Sequence, residues 1–345
     1  MNASSSPISI DLIMEILSRL PSKSVARFRC VSKLWGSMLA SLYFKELFRT
    51  RSLAKPRLLF TIVEHDKCRF FSLPQLHNPY EKSSSTLVAA AEFHVKFPRK
   101  ILHNSDRRYF QHGYASGLIY FYGATYDENV VICNPNTGAY GVLPLLNRYR
   151  KTYSFFMFEP IDKQYKVLFM AYQSGCDRNH KIITGKLAVI YFEDDVDILS
   201  FKYDEKNHVK ADAINKLHVW VLEDVENQEW SEYAYTWTDD KYFRRQHVNV
   251  VGVTAWGEIV FSVDKYTPKQ PFYVFYFNPE RNTLQRVEIQ GFGKGWCNIY
   301  TFVDHVEDLN VNDLELLKSF HAPSVKREES EFDSDYIDSE SESDY

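Results

Sequence analysis

Hydrolytic, metal or redox chemistry in this chain would have to come from eleven histidines and five cysteines. The histidines are scattered, and no pair sits at metal-ligand spacing with carboxylates in support. The cysteines, at 30, 68, 133, 176 and 297, are odd in number, widely spaced and without a CxxC pair. Neither a zinc site nor a disulfide framework is expected from them. Cys133 falls inside an apolar run, where a small buried hydrophobe is a simpler role than a nucleophile. Gly291-Phe-Gly-Lys-Gly295 has the glycines of a phosphate loop without the strand and helix that would frame one, so it reads as a tight surface turn. With no GxSxG, HExxH, P-loop or EF-hand pattern either, the chain is expected to be neither an enzyme nor a cofactor carrier.

What remains is the chemistry of contact. Trp220, Trp230, Trp237, Trp256 and Trp296 either pack in a core or line a recognition face. Ser330, Ser339 and Ser341 each have an acid three residues on, the spacing that suits acid-directed kinases. The stretch Pro7 to Phe48 is the richest in apolar surface. Behind Asp11, a plausible N-cap, Leu12, Ile13, Ile16, Leu17 and Leu20 recur at helical spacing, and Pro21 stops the run. Ser22 opens a second run with Val25, Phe28 and Val31, and Ser32 can cap a third with Leu34, Trp35, Met38 and Leu42. Three short helices enclose little core, and each large apolar side chain left wet forfeits about 1.5–3 kcal/mol. Either the C-terminal part of the chain or a second protein must cover the surplus.

The order Pro7-Ile8, Leu20-Pro21, Val25, Phe28-Arg-Cys-Val-Ser-Lys33 and Trp35 resembles the F-box in its plant form. The resemblance implies a docking module for Skp1, the adaptor of a cullin-RING ubiquitin ligase. It places Pro7, Ile8, Leu12, Ile16, Leu20, Pro21, Val25, Val31 and Trp35 on the adaptor's helices or behind the residues that touch them.

From Arg57 the pattern changes to twelve short aromatic and β-branched runs, from Leu58–Val63 to Leu284–Ile289, separated by Gly, Pro, Asn and Asp. Asn78 to Ala91 is Ser- and Ala-rich and is expected to be a loop. Several turns share one construction. Asn134-Pro-Asn-Thr-Gly138 puts Pro135 where a type I turn fixes φ and Gly138 where a left-handed residue closes a hairpin. Asn278-Pro-Glu-Arg-Asn282 and Glu159-Pro-Ile-Asp-Lys163 follow the scheme, and Asp224-Val-Glu-Asn-Gln228 is a proline-free relative. Antiparallel units repeating at roughly this spacing suggest propeller blades, whose packed faces absorb a 16% aromatic content.

His112-Gly-Tyr-Ala-Ser-Gly-Leu-Ile119, Ile132–Gly138, Asp162–Leu168, Leu217–Asp224 with Glu229-Trp-Ser231, and Gly257-Glu-Ile-Val260 are similar to the F-box-associated domain of plant F-box proteins. That domain is kelch-like, and the resemblance implies that it receives the protein to be ubiquitinated. One departure stands out. Met170 to Thr184 runs almost directly into Gly185-Lys-Leu-Ala188, where the family pattern has further strands, so about one blade is expected to be absent.

The expected organisation is therefore α+β multidomain: a disordered start (1–6), a three-helix F-box (7–50), a linker (51–57), an all-β kelch-like propeller (58–310) and an acidic disordered tail (323–345). From Ser324 onward nine Asp or Glu face Lys326 and Arg327, a balance of −7 within a net charge of −4. The rest is close to neutral, with no basic face for nucleic acid, and no apolar run approaches a membrane span. The resemblance implies a substrate-receptor subunit of an SCF ubiquitin ligase, with Skp1, a cullin and an unknown protein target as partners. The alternative is a Skp1-binding protein whose receptor domain is degenerate. Cysteine usage and the absence of a signal peptide point to cytoplasm, nucleus or both.

Overall fold

Serines begin three of the four helices in the computed structural model, which describes residues 8–64, 67–75, 87–97, 111–122, 130–143, 152–159, 161, 164–171, 180–183, 186–192, 214–224, 226–238, 242–243, 248–292, 295 and 297–309. The helices are α1 (Ile10–Leu17), α2 (Ser22–Arg29), α3 (Lys33–Ala40) and α4 (Leu42–Leu53). Ser9 Oγ accepts from Leu12 N at 3.3 Å, Ser32 Oγ from Trp35 N at 3.2 Å and Ser41 Oγ from Phe44 N at 3.2 Å. Asp11, expected as the first cap, lies one turn position inside the helix that Ser9 caps. The third expected helix is two, because Ser41 takes an extended ψ of 147° and caps α4. The expected linker is helical in its first part, from Arg51 as far as Leu53. The helices close on Met14, Leu17, Val25, Leu39, Phe44 and Phe48, with Phe28 and Trp35 rings 5.5 Å apart at the edge.

Among the described residues twenty strands follow, in five sheets. The first joins the two ends of the domain: β17 (Lys265–Tyr266), β20 (Cys297–His305), β1 (Arg57–Glu64), β2 (Lys67–Pro74) and β4 (Glu92–Phe97), in that order. Leu59 pairs with Phe302 and Phe60 with Thr301, so a strand from each end of the domain shares this one sheet. The second sheet is β5 (Gln111–Ala115), β6 (Leu118–Tyr122), β7 (Val130–Cys133) and β8 (Tyr140–Leu143). The third has only β9 (Thr152–Glu159) and β10 (Gln164–Ala171) among the described residues. The fourth is β11 (His180–Ile183), β12 (Lys186–Phe192), β13 (Ile214–Asp224) and β14 (Glu229–Thr238). The fifth is β15 (Val248–Val253), β16 (Ile259–Val263), β18 (Phe272–Asn278) and β19 (Thr283–Gln290), with β3 (Leu87–Ala90) added in parallel on β19. The stretch expected to be a loop thus contributes a strand, and Ala89 and Ala91 pack on the core beneath it.

Aromatic faces weld neighbouring sheets, as blades of a β-propeller require. Leu58, Phe60, Phe272, Tyr276 and Phe292 join the first sheet to the fifth; Leu217, Trp237, Phe261 and Phe275 join the fourth to the fifth. Leu59, Phe70, Ile119, Phe121 and Phe302 join the first to the second. Between the second and third, Tyr120 stacks on Phe156 at 5.6 Å, and Tyr165 donates to the Ser116 carbonyl at 2.8 Å.

The outer hairpins turn alike. Oδ1 of Asn134, Asp224 and Asn278 accepts from Asn136 N (2.8 Å), Glu226 N (2.8 Å) and Arg281 N (3.0 Å). Four residues on, Gly138, Gln228 and Asn282 have φ of 76°, 55° and 50°. The side chain folds the turn and the left-handed residue closes it, with or without proline. The departure noted after Met170 follows the sheet of β9 and β10, which has two strands among the described residues where its neighbours have four. The acidic tail lies outside the described residues.

Candidate functional site

The four helices have an inner and an outer apolar face, and among the described residues the chain covers only the inner one. Leu309, which follows β20, is packed among Met14, Val25, Leu39 and Phe44. Two residues earlier Glu307, itself buried, reaches under α2, where Glu307 Oε2 accepts from Ser22 N at 2.7 Å. Pro21 offers no side-chain cap, so a carboxylate 285 residues away takes the orphan N–H and meets the positive end of the helix. Glu307 N donates to Ser52 Oγ at 2.7 Å, tying α4 to the same segment. Glu15 links α1 to α4 by pairing with Arg51 while holding Arg19 at 2.8 Å; these two hydrogen bonds keep its carboxyl below the usual range.

On the outer side, Leu12 and Ile16 stand four residues apart along α1 and are each 57% exposed, and Ile8, just ahead of the Ser9 cap, is 65% exposed. Val31 is equally open, and Pro21 is exposed between α1 and α2. Leu20 and Trp35 are half-buried at the rim, packed against the inner core. Val25 is a different case: fully buried, it offers no surface to a partner and serves to seat the helices. Pro7 lies outside the described residues. Leu34, Leu42 and Tyr43 are exposed large side chains absent from the expected contact set. The signal for Leu34 was its place between Lys33 and Trp35, but periodicity alone does not tell the outer from the inner row.

Cys133 is fully buried on β7 and burial pushes its thiol well up, as a structural cysteine requires. Gly291, at φ 107°, turns against Ala91, whose carbonyl oxygen would lie 3.1 Å from an added Cβ, so its freedom serves strand packing. Among the described residues no group of three or more His, Cys, Asp or Glu is placed to hold a metal, and no helix is long and apolar enough to cross a membrane. Of the tryptophans, Trp237 is core, Trp220 is partly buried, and Trp230 and Trp256 are exposed; Trp296 lies outside the described residues.

Comparison with known proteins agrees with this division. Residues 6–47 match the F-box domain family. Residues 57–187 and 184–306 match the F-box associated beta propeller domain in two stretches, which meet beside Gly185, where the sequence departs from the family pattern. F-box protein At2g15640 of Arabidopsis thaliana is 52% identical, covering 95% of this chain and 99% of its own length. F-box protein At2g16450 of the same plant is 51% identical, covering 94% and 98%. The first alignment runs over 424 positions, more than the 345 residues of this chain, so that relative has residues this chain lacks. A helical module with a self-covered inner face, a β domain whose two ends pair in one sheet and these matches together show that the chain belongs to the plant F-box proteins that carry an F-box-associated β-propeller.

Proposed function

We propose that this chain is the substrate receptor of an SCF ubiquitin ligase: the outer face of the helices docks on Skp1, and the propeller recruits a protein target. The observation that carries the reading is the open row Ile8, Leu12, Ile16 and Val31 on helices whose other side the chain itself closes. Each of these side chains stands to gain about 1.5–3 kcal/mol on leaving water. The chain supplies position, and transfer of ubiquitin belongs to the cullin-bound subunits. Such a role places it in the cytoplasm or nucleus.

Co-purification with Skp1 and a cullin tests the reading. Leu20→Asp and Trp35→Ala are expected to abolish Skp1 retention, the former by placing a charge in an apolar contact. Both positions also pack on the helical core, so Ile16→Asp is the cleaner probe. Retention of Skp1 by folded Ile16→Asp would refute the assignment of this face. The third sheet, with two strands among the described residues, and the match split near Gly185 favour a second reading, a Skp1-binding protein with a degenerate receptor domain. It predicts adaptor binding without cullin-dependent turnover of any partner.

A further inference from the structure

Between Glu15 and Glu46 the helices contain no acidic residue, while Arg19, Lys23, Arg27, Arg29, Lys33 and Lys45 fall in that interval. Arg19 is paired with Glu15, and near the other end Arg49 lies 3.4 Å from Glu46. Lys23, Arg27, Arg29 and Lys33 are exposed and meet no carboxylate among the described residues. Lys23 and Arg27 share one face of α2 by their spacing of four, and Arg29 and Lys33 flank Val31 at the start of α3. The result is a basic strip running beside the apolar face.

The path of the chain supplies an occupant. Glu307 holds Ser22, the neighbour of Lys23, and Leu309, the last described residue, is fixed in the helical core. Fourteen residues separate Leu309 from Ser324, a reach of up to about 50 Å when extended. Each eight-residue helix of the strip is only about 12 Å long. From Ser324 the balance is −7. We propose that the acidic segment 324–345 seats on the strip Lys23–Lys33 and shades Val31 and Leu34 until the adaptor displaces it. Single exposed ion pairs are worth little, but a short tether keeps the local concentration of the tail near the millimolar range, and several charges meet several. Phosphate on Ser330, Ser339 or Ser341 would tighten the contact.

The shading of the adaptor face rests on the proposed Skp1 role; the contact itself does not. Zero-length carbodiimide cross-linking of the full chain reads the contact directly. The expected products join Lys23 or Lys33 to Glu328, Glu329, Glu331 or their acidic neighbours within one chain. They should vanish at about 1 M salt, where the screening length is about 3 Å. Lys166 and Glu159, 3.7 Å apart on β10 and β9, give an internal control. Formation of the control product without strip-to-tail products overturns the proposal, as do products that only join two copies. A chain whose tail acids from Glu328 to Asp344 are changed to Gln or Asn should bind Skp1 several-fold tighter at low salt and equally at high salt. Equal affinity throughout overturns the shading. Failure of both chains to bind Skp1 would overturn the adaptor reading and leave the cross-linking result standing.

Discussion

Leu17, Val25, Leu39 and Phe44 face one way on the four helices; Leu12, Ile16, Val31 and Leu34 face the other, with side chains of the same kind. Only the first group is covered, because Leu309 and Glu307 return from the far end of the chain to that side. Hydrophobicity therefore does not separate core from interface here; the presence of an internal cover does. The largest expected effect breaks the pair directly. Phe44→Ala should destabilise the helices by about 3–5 kcal/mol through lost burial and a cavity. Ile16→Asp, on the uncovered side, should leave the melting temperature nearly unchanged, within about 0.5 kcal/mol, while removing Skp1 retention. Comparable melting losses in the two variants would mean that the outer row is core after all.

The cover itself offers the next test. Glu307→Ala leaves the buried Ser22 N–H without its acceptor, a loss of about 1–3 kcal/mol. Glu307→Gln retains an acceptor oxygen and gives up only the charge at the helix terminus, about 0.3–1 kcal/mol. Hydrogen exchange at the first-turn amides of α2 should accelerate strongly in the first variant and weakly in the second. Unchanged exchange in Glu307→Ala would show that α2 needs no support from the propeller.

How far this arrangement could be read from sequence depends on where each signal resides. The serine caps, the Pro21 break and the turns at Asn134 and Asn278 are local chemistry and were legible. So were strands with both faces packed, such as β18, where Phe272 to Phe277 form an unbroken buried run. The strands missed lack that signature. β14, implied only as the second strand of the hairpin at Asp224, mixes Glu229, Ser231 and Glu232 with its aromatics at the edge of its sheet, and β3 is four small or aliphatic residues whose one strand partner among the described residues is β19. β20 carries Asn298 and Asp304 and finds its partner β1 over two hundred residues away, where no local pattern can register it. Likewise Val25 and Val31 were indistinguishable as contact residues, since only the position of Leu309 decides which is enclosed.

The smallest effect expected is one of pH, and it belongs to the β domain and its seam with the helices. His305 is fully buried between Tyr114 Oη at 3.0 Å and Asn136 Oδ1 at 3.4 Å; burial, with His94 and Arg57 nearby, pushes its pKa well below 6.5. His94 is lowered by burial too, partly opposed by Glu307. Both stay neutral where the unfolded chain would take a proton, so their stability is complete above about 6.5 and is lost as pH falls below it. Glu258 has the opposite sign. Burial raises its carboxyl to about 7 against a hydrogen bond from Thr254, so folding is favoured below the ordinary 4.5 and that advantage is lost as pH rises through about 7. Glu258 Oε2 is buried without a hydrogen-bond partner. Glu258→Gln, which imitates the protonated acid, should raise stability on the order of 1 kcal/mol at pH 8 and scarcely at all at pH 5. Because no such group lines the outer helical face, Skp1 retention should not differ between wild type and variant at either pH. A stability gain of equal size at both would locate its cause outside Glu258 ionisation. A change in adaptor binding would mean that the β domain reaches the outer face by a route the inner cover does not provide.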